Sequence, residues 1–156
     1  MVFVTVGTQD KPFERLLRKI EEQIIKGNIK DQVIVQSGCT IYNSDKMEII
    51  DLMDGNTFKK YLTNADLIIT HGGVGTILEG LKLNKKIIAV PRLSVYREAV
   101  NDHQKQICNE FKEKGYILSD DVDNLEILLK KIDTFKPKKY VSNNKNFVKL
   151  IDSYIK

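Results

Sequence analysis

Two hydrophobic periods take turns along the chain. Continuous apolar runs at residues 1–6, 33–35, 67–69 and 86–90 are bounded by glycine, proline or polar residues. Such runs predict strands buried on both faces. Between them the spacing changes to threes and fours: Phe13, Leu16, Leu17, Ile20 and Ile24 form one stripe, opened near Pro12 and closed by Gly27-Asn28. That is the mark of a helix laid on a sheet. A second helix is predicted over 57–64 with Phe58, Tyr61 and Leu62 inward and Asp54 or Asn56 as its cap. A third is predicted over 76–83, capped by Thr76 and closed by Asn84. Asn101 or Asp102 opens a fourth, with Gln104, Ile107, Cys108 and Phe111 along it and Gly115 at its end. Residues 47–53 and 116–118 read as weaker strands, and Asp120 to Asp123 as caps of a helix running to Lys130. After Pro137, the spacing of Phe147, Val148, Leu150, Ile151, Tyr154 and Ile155 predicts a terminal helix. Residues 92–100 mix Arg92, Ser94, Arg97 and Glu98 without either period and predict a surface loop.

Strands alternating with helices predict an α/β fold, an open and mostly parallel sheet with helices on both faces. Ligands of such sheets bind at the carboxyl ends of the strands. That rule gathers Gly7-Thr8, residues 36–38, residues 71–76 and residues 92–104 along one edge. The 156 residues suit one domain, so an activity needing a cleft between two such domains is expected to need a second protein.

Composition changes this picture little: 42% hydrophobic and 29% charged residues are ordinary for a folded soluble protein. No apolar run approaches the ~20 residues of a membrane span, and no signal peptide is visible, so a cytoplasmic location is expected. Cys39 and Cys108 lack metal-site spacing and are expected as buried reduced thiols. Charge is uneven: six lysines (136, 138, 139, 145, 149, 156) stand against Asp152 from residue 136 onward. That end either faces an acidic partner or a membrane surface, or is simply solvated. No basic patch is interleaved with aromatics, and nucleic acid is not an expected partner.

The run from Asp66 to Gly80 carries the chemistry. A strand breaks at His71 into Gly72, Gly73 and Gly75, and helical spacing resumes from Thr76. Glycines there permit positive φ and a close ligand, and free N–H groups at a helix start make an anion site; a structural turn is the alternative. The run is neither a P-loop, which needs Gly-Lys-Ser/Thr, nor a dinucleotide fingerprint, which needs glycine at Leu78. Glu79 is placed either to accept two ribose hydroxyls or to sit in solvent, and His71 either to donate to a phosphate or to cap the turn. Gln104 either bonds sugar hydroxyls or is solvated. Asp121-Val122-Asp123 has the spacing of a metal-binding pair, but acids at a helix start need no metal. No Ser/His/Asp set or carboxylate pair is evident, so the edge looks built for binding.

The segments His71 to Gly80, Val90-Pro91-Arg92 and Asn101-Asp102-His103-Gln104, preceded by Val4-Thr5-Val6-Gly7-Thr8, resemble the C-terminal, donor-binding half of family-28 glycosyltransferases. The likeness covers roughly residues 1–118 and is strongest to stand-alone catalytic subunits of two-component enzymes, the Val-Pro-Arg and Asn-Asp-His-Gln runs looking closer to a bacterial, capsule-building branch than to the eukaryotic dolichol-linked one. It implies a Rossmann-like domain, the C-terminal half of a GT-B glycosyltransferase. It also implies that Gly72, Gly73, Gly75 and Thr76 hold the diphosphate of a UDP-sugar, supported by His71, Gly7 and Thr8. Glu79 would bind the ribose, and Gln104 with Asp102 the donor sugar. Peptidoglycan-precursor transferases of the family carry two glutamines where this chain has Gln104-Lys105. The sugar therefore stays open among galactose, glucose, glucuronic acid and GlcNAc. The implied reaction inverts the anomeric centre, needs no metal or cofactor, and delivers the hexose to a polyprenyl-diphosphate-linked glycan. A membrane-anchored acceptor subunit would hold that glycan, so the chain would lie peripherally at the inner face of the membrane. Residues 137–156 are the expected docking helix of the single domain 1–156. The general base is expected from the partner or from Glu98, Asp102 or His103; a regulatory subunit that binds nucleotide sugar without turnover is the alternative.

Overall fold

The computed structural model describes residues 1–141 and 145–155. In chain order, β1 (Val2–Thr5) leads to α1 (Glu14–Ile25) and β2 (Val33–Gln36), then to β3 (Glu48–Ile50) and α2 (Gly55–Asn64). The second half runs β4 (Leu67–Thr70), α3 (Val74–Lys82), β5 (Lys86–Ala89), α4 (His103–Glu113), β6 (Leu118–Ser119), α5 (Leu125–Ile132) and α6 (Lys145–Ile155). Short 3-10 turns occupy Ser94–Tyr96 and Val122–Asn124.

The six strands among the described residues all pair in parallel in the order β3-β2-β1-β4-β5-β6. The sheet expected to be mostly parallel is wholly so. Because residues alternate across a strand, β1 sends Val2 and Val4 to one core and Phe3 to the other. Val2 and Val4 meet Leu16, Leu17 and Ile20 of α1 and Leu125 and Leu128 of α5. Phe3 meets Leu62 of α2, with Ile77, Phe111 and Phe147 filling the same face from α3, α4 and α6. Its ring stacks on Tyr61 at 5.5 Å, so the α2 stripe read from the sequence is the one that packs.

Several expectations change in detail. Asp54 does cap α2, its carboxylate accepting from the Thr57 N–H at 2.7 Å. Thr76 does not cap α3, which begins two residues earlier with Gly73 at the cap position and no capping side chain. For α4 the capping bond comes from Asn101, whose Oδ1 accepts from the His103 N–H at 3.0 Å, while Asp102 accepts from Ser94 N–H. Residues 92–100 form the expected surface loop at Val95, Tyr96, Arg97 and Val100, but Arg92 and Glu98 within it are buried at 1% and 4% exposure. Their charges are matched inside the protein, which a period of hydrophobicity does not register. Cys108 is buried as expected, but Cys39 is exposed, its thiol donating to the Gln9 carbonyl at 2.9 Å.

The terminal helix starts at Lys145 and packs on α4, with Phe147 5.0 Å edge-on to Phe111. Phe147 and Ile151 thus serve the chain's own core, and Val148 and Leu150 remain on the outer side. Lys156, one of the six tail lysines, lies outside the described residues. No helix among the described residues is long and apolar enough to cross a membrane.

Candidate functional site

Strand order reverses between β1 and β4: the chain leaves β1 for α1 on one face and β4 for α3 on the other. Connections diverging to opposite faces leave a crevice at the carboxyl ends of the two strands. The Gly7-Thr8 turn and the 71–73 turn both open into it. The positive φ expected in the glycine loop is found instead at Gly7, φ 80°, and Gly38, φ 58°, across the crevice.

The loop glycines are needed for room. A Cβ on Gly72 would stand 2.6 Å from Gln104 Cβ and 2.9 Å from the Gln104 backbone carbonyl oxygen. On Gly73 it would stand 2.5 Å from Cε1 of His71, and on Gly7 it would meet the same ring. Nothing lies within 4 Å of a Cβ on Gly75, which faces open space at the first turn of α3. There the leading N–H groups have no helical acceptor, and the helix presents its positive end.

Two clefts flank this loop and share Gly73 and Gly75. One, about 600 Å³, is lined by Gly72, Gln104, Asn101, His103 and Lys11 among others. The other, about 440 Å³, is lined by Gly7, Thr8, His71, Thr76, Gln36 and Phe58 among others. Gln36 Oε1 is buried without a partner among the described residues, as is Thr70 Oγ1 just before the loop. Eight of the residues singled out from sequence therefore converge: Gly7, Thr8, His71, Gly72, Gly73, Gly75, Thr76 and Gln104. His103 joins them at the mouth of the larger cleft. Glu79 is exposed one turn further along α3 and lines neither cleft, and Asp102 and Glu98 stand outside both.

His71 is the buried titratable group at the centre. Desolvation, with the Arg92 guanidinium nearby, lowers its pKa to about 4, so the ring is neutral near pH 7. Gln104 Oε1 accepts the Arg92 backbone N–H at 3.1 Å and lies 3.4 Å from His71 Nδ1.

Arg92 itself is a girder the sequence did not announce. Its guanidinium donates to the carbonyls of Val6, Lys11 (2.6 Å) and Glu98 (3.1 Å), tying the end of β1, the turn before α1 and the segment after β5 into one body. Its face also lies 5.2 Å from the Phe13 ring centroid. Glu98 is held by Arg15, Oε2 accepting from Nε at 3.0 Å and Oε1 from Nη2 at 3.1 Å, and it also accepts the Leu93 N–H. Arg15 continues to Asp121 at 3.2 Å and stacks 4.0 Å above Tyr96. Of the two acids read as a possible metal pair, Asp121 therefore serves a cation and the turn before α5, where it accepts the Val122 N–H. Asp102 is held below the usual carboxylate range by the Ser94 N–H. Sequence reasoning passed over Arg15 because its partner Glu98 lies 83 positions away, and over Lys11 because nothing local marks it.

The Glycosyltransferase family 28 C-terminal domain model matches residues 1–154. The UDP-N-acetylglucosamine transferase subunit ALG13 of Candida albicans is 29% identical over 82% of this chain and 36% of its own length. The chain thus spans about a third of that relative. The solution NMR structure of ALG13 superposes with a TM-score of 0.62 at 24% identity, over 96% of this chain and 94% of that one. The glycotransferase of kitacinnamycin gives 0.65 at 16% identity, over 98% of this chain and 38% of that one.

Proposed function

The chain belongs to glycosyltransferase family 28 through its C-terminal domain, and from that premise we propose that it is the donor-binding, catalytic subunit of an inverting UDP-sugar hexosyltransferase. The observation that carries the proposal is the open start of α3: Gly75 and its neighbours offer unpaired N–H groups to the space between two clefts. A diphosphate placed there is bound by the helix end and by Gly7 and Thr8 across the crevice, and the same contacts stabilise the UDP leaving group as its bond to the sugar breaks.

The name of the ALG13 relatives puts GlcNAc first among the hexoses considered, and gives no support to a capsule or exopolysaccharide setting. Their being subunits supports a partner. Ile41, Leu52, Val95 and Val100, each at least 64% exposed, stand on the loops beyond β2, β3 and β5, where a second domain would close. In this reading the partner is membrane-anchored, brings a polyprenyl-diphosphate-linked acceptor, and keeps the complex at the cytoplasmic face. Among the three groups considered for the general base, His103 alone reaches a cleft; Glu98 is occupied by Arg15 and Asp102 by Ser94 N–H. Glu79 is assigned to the ribose through its place one turn beyond the diphosphate.

Calorimetric titration of the chain with UDP-GlcNAc, UDP-glucose, UDP-galactose and UDP-glucuronic acid tests the donor reading. The expected result is micromolar to millimolar binding of one of them, weakened about tenfold in Glu79→Ala, the loss of one charge-assisted contact. No binding of any UDP-sugar would overturn it.

A further inference from the structure

We propose that Gln104 is a positioning residue that holds the His71 ring with its proton on Nδ1 and Nε2 open above the glycine loop, so that an anionic diphosphate is gripped by His71 only after the ring takes up a second proton from solvent. This rests on the donor reading given above, and deepens it.

One group at this junction has an unambiguous role. The Arg92 backbone N–H can only donate, so the Gln104 atom 3.1 Å from it is the carbonyl oxygen. The same oxygen faces His71 Nδ1 at 3.4 Å, a long contact that is attractive only with the hydrogen on Nδ1. Turning the amide over would set its NH₂ against the Arg92 N–H, donor against donor. Nor can the backbone of Arg92 drift, because its side chain is anchored on the carbonyls of Val6, Lys11 and Glu98. Gln104 is pinned from the other side by Gly72, where even a methyl group would not fit.

With Nδ1 protonated, a neutral ring presents a lone pair at Nε2. That atom lies only 2.7 Å from where a Cβ on Gly73 would stand, and it faces Gly7 as well, so it looks into the crevice where the phosphates are placed. A lone pair repels a phosphate oxygen. A proton on Nε2 turns the repulsion into a charge-assisted hydrogen bond. The other groups around the ring do not supply that proton. Arg92 is a cation and opposes it. Cys108 of α4 is a neutral thiol whose pKa burial pushes up to about 12. Asp10 and Lys11 of the β1–α1 connection and His103 of α4 line the neighbouring cleft, and Gln36 and Thr5 of the sheet are neutral. The free ring therefore stays neutral at pH 7, and the incoming diphosphate is the anion that changes this. Gln104, with its carbonyl committed twice, keeps only its NH₂ for a sugar hydroxyl.

Two measurements test the proposal. Long-range proton–nitrogen NMR of the free chain reads the tautomer directly; with two histidines in the sequence, His71→Gln assigns the signals. The expected spectrum has hydrogen on Nδ1 and none on Nε2 from pH 8 to pH 6, and a shift toward Nε2–H in Gln104→Met. Hydrogen on Nε2 in the unaltered free chain would overturn the proposal. Titration with UDP-GlcNAc at pH 7 in PIPES and in Tris, buffers of different ionisation enthalpy that bring no competing phosphate, counts protons, since the sugar-linked diphosphate does not itself titrate there. Uptake of up to about one proton per donor bound is expected. It should vanish in Gln104→Met, which can donate from Nε2 while neutral, and fall in Gln104→Glu, whose carboxylate protonates the ring beforehand. Binding without proton uptake would overturn the proposal and leave the donor reading standing. Absence of binding would overturn the donor reading and the proton coupling with it, leaving the free-chain NMR to judge the tautomer alone.

Discussion

Gly72, Gly73 and Gly75 sit in one loop and answer to different constraints. The first two leave room for Gln104 and His71, whereas Gly75 has nothing near it and lies within α3. Gly75→Ala is therefore expected to stabilise the free chain by about 0.5–1 kcal/mol, as alanine does in a helix, and to weaken UDP-sugar binding at least tenfold by filling the space of a phosphate. Urea unfolding and calorimetry on the same sample check both halves. His71 makes a prediction of opposite kind. Its folded-state pKa of about 4 lies below the ordinary 6.5, so below pH 6.5 the unfolded chain binds the proton more readily. Stability is lost as pH falls from 6.5 toward 4. Between pH 7.5 and 4.5 the unaltered chain should lose about 2–3 kcal/mol more than His71→Gln, measured by urea unfolding at each pH. Equal losses would mean that the ring is not desolvated as described.

At the scale of elements, the segment from Arg92 to Asp102 is held by ionic groups rather than by an apolar stripe. Arg92→Met would strand three carbonyls, those of Val6, Lys11 and Glu98, and loosen both turns that face the crevice. A cost of about 3 kcal/mol or more is expected, with weaker donor binding, because the anchor of Gln104 goes too. If stability and binding both survive, the girder reading is wrong. The terminal helix is held conventionally: Phe147 is 3% exposed between Phe111 and Tyr116. Phe147→Ala should cost about 3 kcal/mol in urea unfolding, since it empties the contact that seats α6 on α4.

At the scale of the whole molecule, the crevice opens at an edge whose loops carry exposed apolar side chains. Donor binding is expected from the chain alone and sugar transfer only with the proposed acceptor subunit. In that complex His103→Ala should lower kcat by roughly 10²–10⁴ with donor affinity little changed, the loss expected of a general base. Unchanged turnover would move the base to the partner.

What the sequence determined by itself was whatever depends on short-range periodicity and on turn chemistry. The strand runs, the α1 and α2 stripes, the Asp54 cap and the alternation that makes a parallel sheet are local facts, and the glycine loop was legible as a candidate anion site, beside the alternative of a structural turn, because the first N–H groups of a helix lack acceptors. What only the tertiary structure decided involves partners far apart in sequence. Arg92 and Glu98 read as solvated because burial of a charge depends on acceptors contributed by Val6, Lys11 and Arg15. The need for glycine at Gly72 and Gly73 came from Gln104 and from the way the His71 ring folds back over the loop, not from backbone angle. The contacts on which the proposed His71 tautomer rests, from Arg92 through Gln104 to the ring, exist only once β4, β5 and α4 lie side by side.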